Sequence, residues 1–182
     1  AAPRDEDTLR AQLRQALDVD DAPTVLRYRK GPLPEPMPAL RSVGGVDVLF
    51  DEAGAGSSAK LLIVGTGACA PDAIEAARRL AADGLAVTVV DPCWLLPISS
   101  DLADMADGYD AVLTVEDGIV RGGFGWALRD ALADAGTPVR CLGAPQNFPE
   151  HGDRAQMIAD FGYDADGIEA SARALVNAVS AR

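Results

Sequence analysis

The feature that most constrains the fold is the regular alternation, after Lys60, of short apolar runs with longer stretches of helical periodicity. Four runs rich in Val, Leu and Ile have the length of buried strands, and amphipathic segments separate them. This alternation is typical of a mostly parallel sheet with crossover helices. Strands are predicted at residues 61–64, 86–90, 111–115 and 139–142, and helices at residues 71–82, 100–106, 125–135, 154–161 and 165–181. Residues 59–182 are therefore predicted to form a complete three-layer α/β domain.

The first 31 residues predict one helix and one strand, which cannot form a core by themselves. Acidic residues from Asp5 to Asp7 precede apolar residues with the spacing of one helical stripe: Leu9, Leu13, Ala16 and Leu17. Val25 and Leu26 then begin a short strand. The chain also starts at Ala1 without an initiator Met. We therefore expect the carboxyl-terminal piece of a larger enzyme, whose chemistry is shared with other residues.

Residues 32–58 differ in composition from both flanks. Prolines alternate with other residues from Pro32 to Pro38, and residues 54–58 (Gly-Ala-Gly-Ser-Ser) are typical of a flexible turn. Between them, residues 46–50 are compatible with an edge strand. We predict a linker that crosses a surface and contributes nothing to the core.

Composition excludes several classes of partner. The 182 residues are 48% apolar, which suits a packed core, and the formal charge of −12 disfavours nucleic acid and anionic membranes as partners. No apolar run approaches the roughly 20 residues of a membrane span, and no signal segment opens the chain. Cys69, Cys93 and Cys141 are odd in number and lack CxxC spacing, which argues against a disulfide scaffold or a zinc site. A cytoplasmic location is the simplest expectation.

Residues 65–70 (Gly-Thr-Gly-Ala-Cys-Ala) fit the G-x-G-x-x-A pattern of a dinucleotide loop between a strand and a helix. Asp91 ends the next predicted strand, where an acid binds a ribose hydroxyl in such proteins. The alternative is that Gly65 and Gly67 only allow a tight turn and that Asp91 merely ends a strand. Both interpretations stay open, because few strands follow and no substrate domain is visible.

Other motifs have a structural and a chemical interpretation. Glu116 and Asp117 resemble an acid/base pair, although a structural role is favoured. Residues 122–125 (Gly-Gly-Phe-Gly) resemble a phosphate cradle, but only Arg121 is basic nearby, so close packing at a helix start is preferred. His151 is the single histidine, and a surface or capping position is expected for it.

Two further residue types are expected to have structural roles. Cys93 and Cys141 lie near strand ends, where a small buried residue is the usual case. Trp94 and Trp126 are expected to be packing or interface anchors.

Eight sequence blocks together resemble one family, 1-deoxy-D-xylulose-5-phosphate synthase, in their order and spacing. They are residues 27–31 (Arg-Tyr-Arg-Lys-Gly), 62–67 (Leu-Ile-Val-Gly-Thr-Gly), 87–92 (Val-Thr-Val-Val-Asp-Pro), 114–117 (Thr-Val-Glu-Asp), 122–125 (Gly-Gly-Phe-Gly), 142–148 (Leu-Gly-Ala-Pro-Gln-Asn-Phe), 150–152 (Glu-His-Gly) and 161–168 (Phe-Gly-Tyr-Asp-Ala-Asp-Gly-Ile). Transketolases share this type of domain, so the collinear set is specific while no single block is unique.

The resemblance implies a transferase of isoprenoid biosynthesis that uses thiamine diphosphate and Mg²⁺. Such an enzyme joins pyruvate, after decarboxylation, to D-glyceraldehyde 3-phosphate. Residues 1–31 would end the central pyrimidine-binding domain, residues 32–58 would be a linker, and residues 59–182 would be a transketolase-type carboxyl-terminal domain that braces a homodimer. The cofactor-binding residues lie elsewhere in the family, so this chain is expected to bind no cofactor and to be inactive alone. The alternatives are a separately encoded subunit and a free-standing nucleotide-binding domain.

The resemblance assigns one site residue. The family's Arg-Tyr-Pro-(Arg or Lys)-Gly strand end places its second basic residue against the substrate phosphate, and Lys30 matches it. A cation there offers charge-assisted hydrogen bonds to a phosphate dianion. Arg29 stands where the family usually has Pro, which frees the backbone and adds a second charge. Without the resemblance, Lys30 would be interpreted as a solvated surface charge.

Overall fold

The computed structural model describes residues 1–54 and 59–181. Its elements, in chain order, are α1 (Glu6–Leu17), β1 (Arg41–Val43), β2 (Val46–Glu52), β3 (Lys60–Gly65), α2 (Ala70–Ala82), β4 (Ala86–Asp91), α3 (Ser100–Asp107), β5 (Ala111–Ile119), α4 (Phe124–Ala131), β6 (Val139–Ala144), α5 (Arg154–Asp160) and α6 (Ala165–Ser180). A 3₁₀ turn, Gly67–Cys69, precedes α2. All four predicted strands and all five helices after residue 59 are present.

The sheet has six strands in the order β1-β2-β4-β3-β5-β6. Strands β3 to β6 are mutually parallel, whereas β2 is antiparallel to both of its neighbours, β1 and β4. Central β3 is buried on both faces, because Leu61, Leu62, Ile63 and Val64 are each 0% exposed. Continuous apolar strands of this kind suit a parallel sheet covered on both sides.

An apolar core lies on each face of the sheet. Leu61 and Ile63 point into the core formed with α2, α5 and α6, whereas Leu62 and Val64 point into the core formed with α3 and α4. The predicted three-layer α/β fold with a mostly parallel sheet is therefore confirmed.

The prediction that residues 46–50 form an edge strand outside the core is wrong. β2 lies between β1 and β4, and its Val46, Val48 and Leu49 are buried. Gly44 and Gly45 have φ of 56° and 83°, which is the conformation of a tight hairpin turn. This hairpin returns the chain onto β4, so this part of residues 32–58 is not a surface linker. Residues 55–58 of the expected flexible turn lie outside the described residues.

The first 31 residues differ from expectation in two ways. The helix is present, but Leu13 and Leu17 of its apolar stripe are 50% and 85% exposed, while Gln12 is 2% exposed. The amide of Gln12 donates to the Cys93 carbonyl at 3.2 Å, so contact with the 91–94 loop decides which helix face is buried. The predicted strand at Val25 is wrong: residues 23–29 belong to no strand of the described sheet.

Two smaller features complete the fold. Helix α4 ends at Ala131 rather than at residue 135, and turns occupy residues 132–136. Among the described residues, no helix is both long and apolar enough to cross a membrane.

Candidate functional site

A cavity of about 340 Å³ lies where the segment carrying Lys30 passes the start of α1. Tyr28, Arg29 and Lys30 line one side of it, and Arg4 and Leu9 line the other. Lys30 is exposed and forms no ion pair within the described part of the chain. The structure therefore leaves this ammonium group free for an external anion, while its role in phosphate binding stays a prediction.

Arg29 differs from Lys30 in its surroundings. Its side chain is half-buried, and one guanidinium nitrogen donates to the Pro32 carbonyl at a weak 3.4 Å. Its Nε is buried without a partner among the described residues. Lys30 is therefore the more accessible cation of the pair.

Arg4 is the charged residue of this region that the sequence did not indicate. It is 4% exposed and pairs with Asp47 at 2.8 Å and Asp91 at 3.2 Å. Its Nε donates to the Met37 carbonyl at 2.9 Å. Burial of a guanidinium requires such partners, because an unpaired buried charge is costly. The signal available in the sequence was only a charge beside a helix start, which does not reveal burial.

The burial of Asp91 argues against the interpretation of residues 65–70 as a dinucleotide-binding loop. Asp91 is 0% exposed, and its carboxylate accepts from the N–H groups of Cys93, at 3.0 Å, and Gly67. Burial raises the pKa of Asp91 to about 6, against the lowering effects of these N–H groups and of Arg4. A carboxylate enclosed in this way cannot reach a ribose hydroxyl.

The glycines of the same loop allow close packing instead. A Cβ on Gly67, whose φ is +48°, would lie 2.9 Å from the Ala2 carbonyl oxygen, and a Cβ on Gly65 would lie 2.9 Å from the Ala73 Cβ. The first residues of the chain thus cover the loop where a diphosphate would bind. The structural alternative stated for these glycines accounts for their positions.

Glu116 fills the second glycine-rich loop. Its carboxylate accepts from the N–H groups of Phe124 at 2.9 Å and Gly125 at 3.0 Å, which are the first residues of α4. Burial raises the pKa of Glu116, against the lowering effect of these two N–H groups. A Cβ on Gly123 would collide with the same carboxylate. The expected structural role of Glu116 is confirmed, and the packing role of the 122–125 loop is confirmed for Gly123 and Gly125, whereas a Cβ on Gly122 would have no atom within 4 Å.

Asp117, next in the chain, lies in a separate polar cluster. It pairs with Arg154 at 3.1 Å, and the Arg27 guanidinium lies 4.0 Å away. The hydroxyl of Tyr163 is 3.4 Å from the same carboxylate, and burial raises the pKa of Tyr163 to about 12. Glu116 and Asp117 therefore have separate hydrogen-bond partners, although the charge of Arg27 acts on both, and this arrangement gives no support to an acid/base pair.

The remaining predicted residues are scattered. His151 is exposed, as expected. Cys69 is buried, and burial raises the pKa of its thiol to about 12. The prediction that Cys93 and Cys141 are small buried residues is wrong in part, since both are only half-buried. The Cys93 Sγ lies 3.5 Å from the Asp47 carboxylate. The backbone of Cys93 has a φ of 58°.

The two tryptophans have partners within the chain. The indole of Trp94 donates to the Gln15 side chain at 2.7 Å. Trp126 is 37% exposed and stacks with the Arg129 guanidinium, 4.6 Å from the ring centre. Trp94 is thus a packing anchor between α1 and the 91–94 loop, and an interface role for Trp126 stays a prediction.

The described residues do not provide a metal centre. No three side chains of the types His, Cys, Asp and Glu gather there as ligands. A divalent cation would therefore find no ligand cluster of that kind in the described part of the chain.

Curated relatives match nearly all of the chain. A 1-deoxy-D-xylulose-5-phosphate synthase of Corynebacterium glutamicum is 46% identical over 93% of the chain, and 1-deoxy-D-xylulose-5-phosphate synthase 2 of Streptomyces avermitilis is 43% identical over 100% of it. The chain spans just over a quarter of these relatives, 27% and 28% of their lengths.

Solved structures and a family profile agree on the domain type. A split-gene transketolase, solved as an inactive β4 tetramer, superposes with a TM-score of 0.81 at 28% identity, over 97% of this chain and 57% of that one. A transketolase of Pichia stipitis superposes with a TM-score of 0.69 at 19% identity, over 99% of this chain and 25% of that one, which supports the fold alone. The profile of the transketolase carboxyl-terminal domain matches residues 56–168. Because that match covers more than half of the chain, the chain belongs to the family of transketolase carboxyl-terminal domains.

Proposed function

We propose that the chain is the carboxyl-terminal region of a 1-deoxy-D-xylulose-5-phosphate synthase. The observation that carries the proposal is the 46% identity to a relative of that name over 93% of the chain. The full protein would be a transferase of isoprenoid biosynthesis that condenses pyruvate with D-glyceraldehyde 3-phosphate. The exposed Lys30 beside a cavity supports this, since one of those substrates carries a phosphate dianion.

Lys30 would bind the substrate phosphate. An ammonium group donates up to three hydrogen bonds and acts as a point charge, so its attraction for a dianion tolerates some variation in angle. Tyr28 and Arg29 would form the wall next to it. Because the phosphate is remote from the reacting aldehyde carbon, this interaction contributes to binding of substrate and transition state alike.

Thiamine diphosphate and Mg²⁺ would be held by residues outside this chain, and the cofactor would supply the chemistry that turns pyruvate into a nucleophile. The assignment of residues 1–31 to the end of the pyrimidine-binding domain and of residues 59–182 to the carboxyl-terminal domain, the latter now with β2 in its sheet, belongs to the same proposal. The homodimer and the cytoplasmic location belong to it as well. The three free cysteines suit a reducing compartment.

The experiment compares two lysine variants of the full-length protein. Lys30→Ala removes a charge-assisted hydrogen bond worth about 1.5–3 kcal/mol, so the KM for D-glyceraldehyde 3-phosphate should rise roughly 10–100-fold, with the KM for pyruvate nearly unchanged. Lys60→Ala is the matched control, because Lys60 is exposed at the start of β3, where it lines a different cavity. Equal effects of Lys30→Ala on both substrates would contradict the assignment.

A separately encoded subunit is the second candidate. The observation in its favour is the 0.81 TM-score with a chain of a split-gene transketolase. The gene sequence upstream of the Ala1 codon separates the two candidates. An in-frame continuation with a pyrimidine-binding domain supports a single-chain synthase, whereas a start codon at that point supports a split enzyme.

A further inference from the structure

The first five residues of the chain hold the segment that carries Lys30 from both sides. On one side, the Arg27 N–H donates to the Ala1 carbonyl at 2.9 Å. On the other side, the Met37 N–H donates to the Asp5 carboxylate at 2.8 Å, and the Met37 carbonyl accepts from Arg4 Nε at 2.9 Å. Lys30 thus lies between two anchors that belong to the same short stretch.

That stretch is itself fixed to the sheet through buried charges. Arg4 joins Asp47 of β2 to Asp91 at the end of β4, with both acids within 3.2 Å. The Ala2 N–H also donates to the Cys93 carbonyl at 3.1 Å. The two carboxylates enclose one guanidinium, so its position cannot change without separating charges in a buried site.

The segment between the anchors belongs to no sheet, and its second half, residues 32–36, is stiff. Pro32, Pro34 and Pro36 each restrict φ and lack an N–H, which favours an extended chain with few internal hydrogen bonds. Because the segment is held at Arg27 and Met37, these two anchors restrict the position of the residues between them. The location of Lys30 therefore depends on Arg4.

We propose that Arg4 is a positioning residue for phosphate binding by Lys30, acting through its ion pairs with Asp47 and Asp91. The claim about ligand binding rests on the proposed function. The claim about position does not, because it concerns only how residues 23–37 are held.

The first test measures position without catalysis. Hydrogen–deuterium exchange of the full-length protein should be faster in Arg4→Met than in wild type at the amides of Arg27 and Met37, which donate to Ala1 and Asp5, with β3 and β5 unchanged. Arg10→Ala is the control, because Arg10 is an exposed arginine of α1 that pairs only with Glu6 among the described residues. Unchanged exchange at the amides of Arg27 and Met37, or faster exchange across the whole sheet, would overturn the proposal.

The second test uses a double-mutant cycle in the full-length enzyme. Arg4→Met should raise the KM for D-glyceraldehyde 3-phosphate on the order of tenfold, leaving the KM for pyruvate and the use of unphosphorylated glyceraldehyde within twofold. In a Lys30→Ala background, the same change should add little, because Arg4 acts through Lys30. If the effects of the two substitutions on the KM for D-glyceraldehyde 3-phosphate are additive, Arg4 does not act through Lys30.

If Arg4→Met does not fold, a milder variant can replace it in both tests. Asp47→Asn removes one of the two ion pairs at a residue that is 17% exposed, and it should produce a smaller change of the same kind in both tests. An Asp47→Asn protein identical to wild type in both would count against the proposal. If wild type makes no product, the proposed function fails, while the exchange experiment still decides how Lys30 is positioned.

Discussion

Two glycine-rich loops and one basic segment all have sequence patterns of an anion site. In both loops a carboxylate of the chain already accepts from the backbone N–H groups, whereas the basic segment keeps its cation accessible. In the 65–70 loop, the Asp91 carboxylate accepts from the Gly67 N–H, and in the 122–125 loop the Glu116 carboxylate accepts from two N–H groups of α4. Lys30, by contrast, is exposed and free of ion pairs among the residues described.

A glycine-rich loop indicates that some group approaches its backbone closely, without indicating which group that is. Backbone N–H groups at a strand-to-helix turn attract any anion, and a carboxylate of the same chain is always present at high effective concentration. Here Asp91 and Glu116 occupy the places that a diphosphate would need. The open cation was less conspicuous in the sequence, because a lone Lys is usually a solvated surface charge.

The largest loss of stability is expected when the Glu116 carboxylate is removed from the 122–125 loop. Glu116→Ala leaves the N–H groups of Phe124 and Gly125 without their acceptor in a buried site, and such groups cost about 1–3 kcal/mol each. We expect the free energy of unfolding to fall by about 3 kcal/mol in urea titration. Glu150→Ala, an exposed control, should change it by less than about 0.5 kcal/mol.

The same variant tests whether the loop still prefers an anion. Acetate should raise the Tm of Glu116→Ala more than that of wild type, because it can restore a carboxylate at the vacated position. A stability loss below about 1 kcal/mol, within the range of an ordinary substitution, would contradict the capping role.

The next effect concerns the loop that Ala2 covers. Gly67→Ala combines a positive φ with a close contact to the Ala2 carbonyl, so we expect a loss of about 2 kcal/mol in the free energy of unfolding. Gly122→Ala separates the two causes, because its φ is +78° but a Cβ there would have no atom within 4 Å. It should lose only the conformational part, about 1 kcal/mol.

Calorimetric titration of wild type with NADH examines the same loop directly. We expect no saturable binding, since the loop's Asp91 is enclosed. Micromolar binding that Gly67→Val abolishes would instead support the nucleotide-binding alternative.

A smaller effect, dependent on pH, is expected at the anchor of the open segment. Asp5 is desolvated, which raises its pKa, but hydrogen bonds from Thr8 and Met37 and the charge of Arg4 outweigh burial, so the pKa of Asp5 lies below its usual value. A carboxyl group whose folded pKa is lowered stabilises the protein above its unfolded pKa, about 4, and loses that contribution as pH falls through the folded pKa.

Asp5→Asn should therefore be less stable than wild type by about 1 kcal/mol at pH 6, with the difference shrinking as pH falls below about 4. Urea titrations across that range measure it. Asp7→Asn is the control, because Asp7 is an exposed acid in the first turn of α1. A difference between wild type and Asp5→Asn that grows toward acid would contradict the assignment.

The smallest effect is expected for Arg29→Pro, which restores the residue that the resembling family usually has. The change removes a buried Nε without a partner and only a weak hydrogen bond to Pro32. Proline also lowers the entropy of the unfolded chain. We expect a stability change of no more than about 1 kcal/mol, in the stabilising direction, by thermal unfolding. A larger loss would mean that the backbone at residue 29 has a conformation closed to proline.

Much of the fold was predictable because its strands are apolar on both faces. Runs such as residues 61–64 can be buried only in a covered parallel sheet, and the amphipathic segments between them supply the cover. β2 was not predictable in the same way, because its burial depends on a hairpin that pairs it with β4, and that pairing is a contact between distant parts of the chain.

The site was predictable only in part, for a related reason. Lys30 was proposed because its neighbours in sequence resemble a known strand end, and its role in phosphate binding stays a prediction. Arg4 was missed, since nothing local distinguishes a charge that will be buried from one that will be solvated. Its partners Asp47 and Asp91 lie more than 40 residues away along the chain.

The lengths and spacing of the apolar runs were enough to predict the three-layer α/β domain, and the order of the sequence blocks identified the family. Which charged groups are paired is visible only in the folded chain. Whether Asp91, Glu116 or Lys30 faces a ligand depends on which N–H groups and cations reach it across the fold. Hydrophobic periodicity is a local property of the chain, whereas the neutralisation of a buried charge depends on residues that only folding brings together.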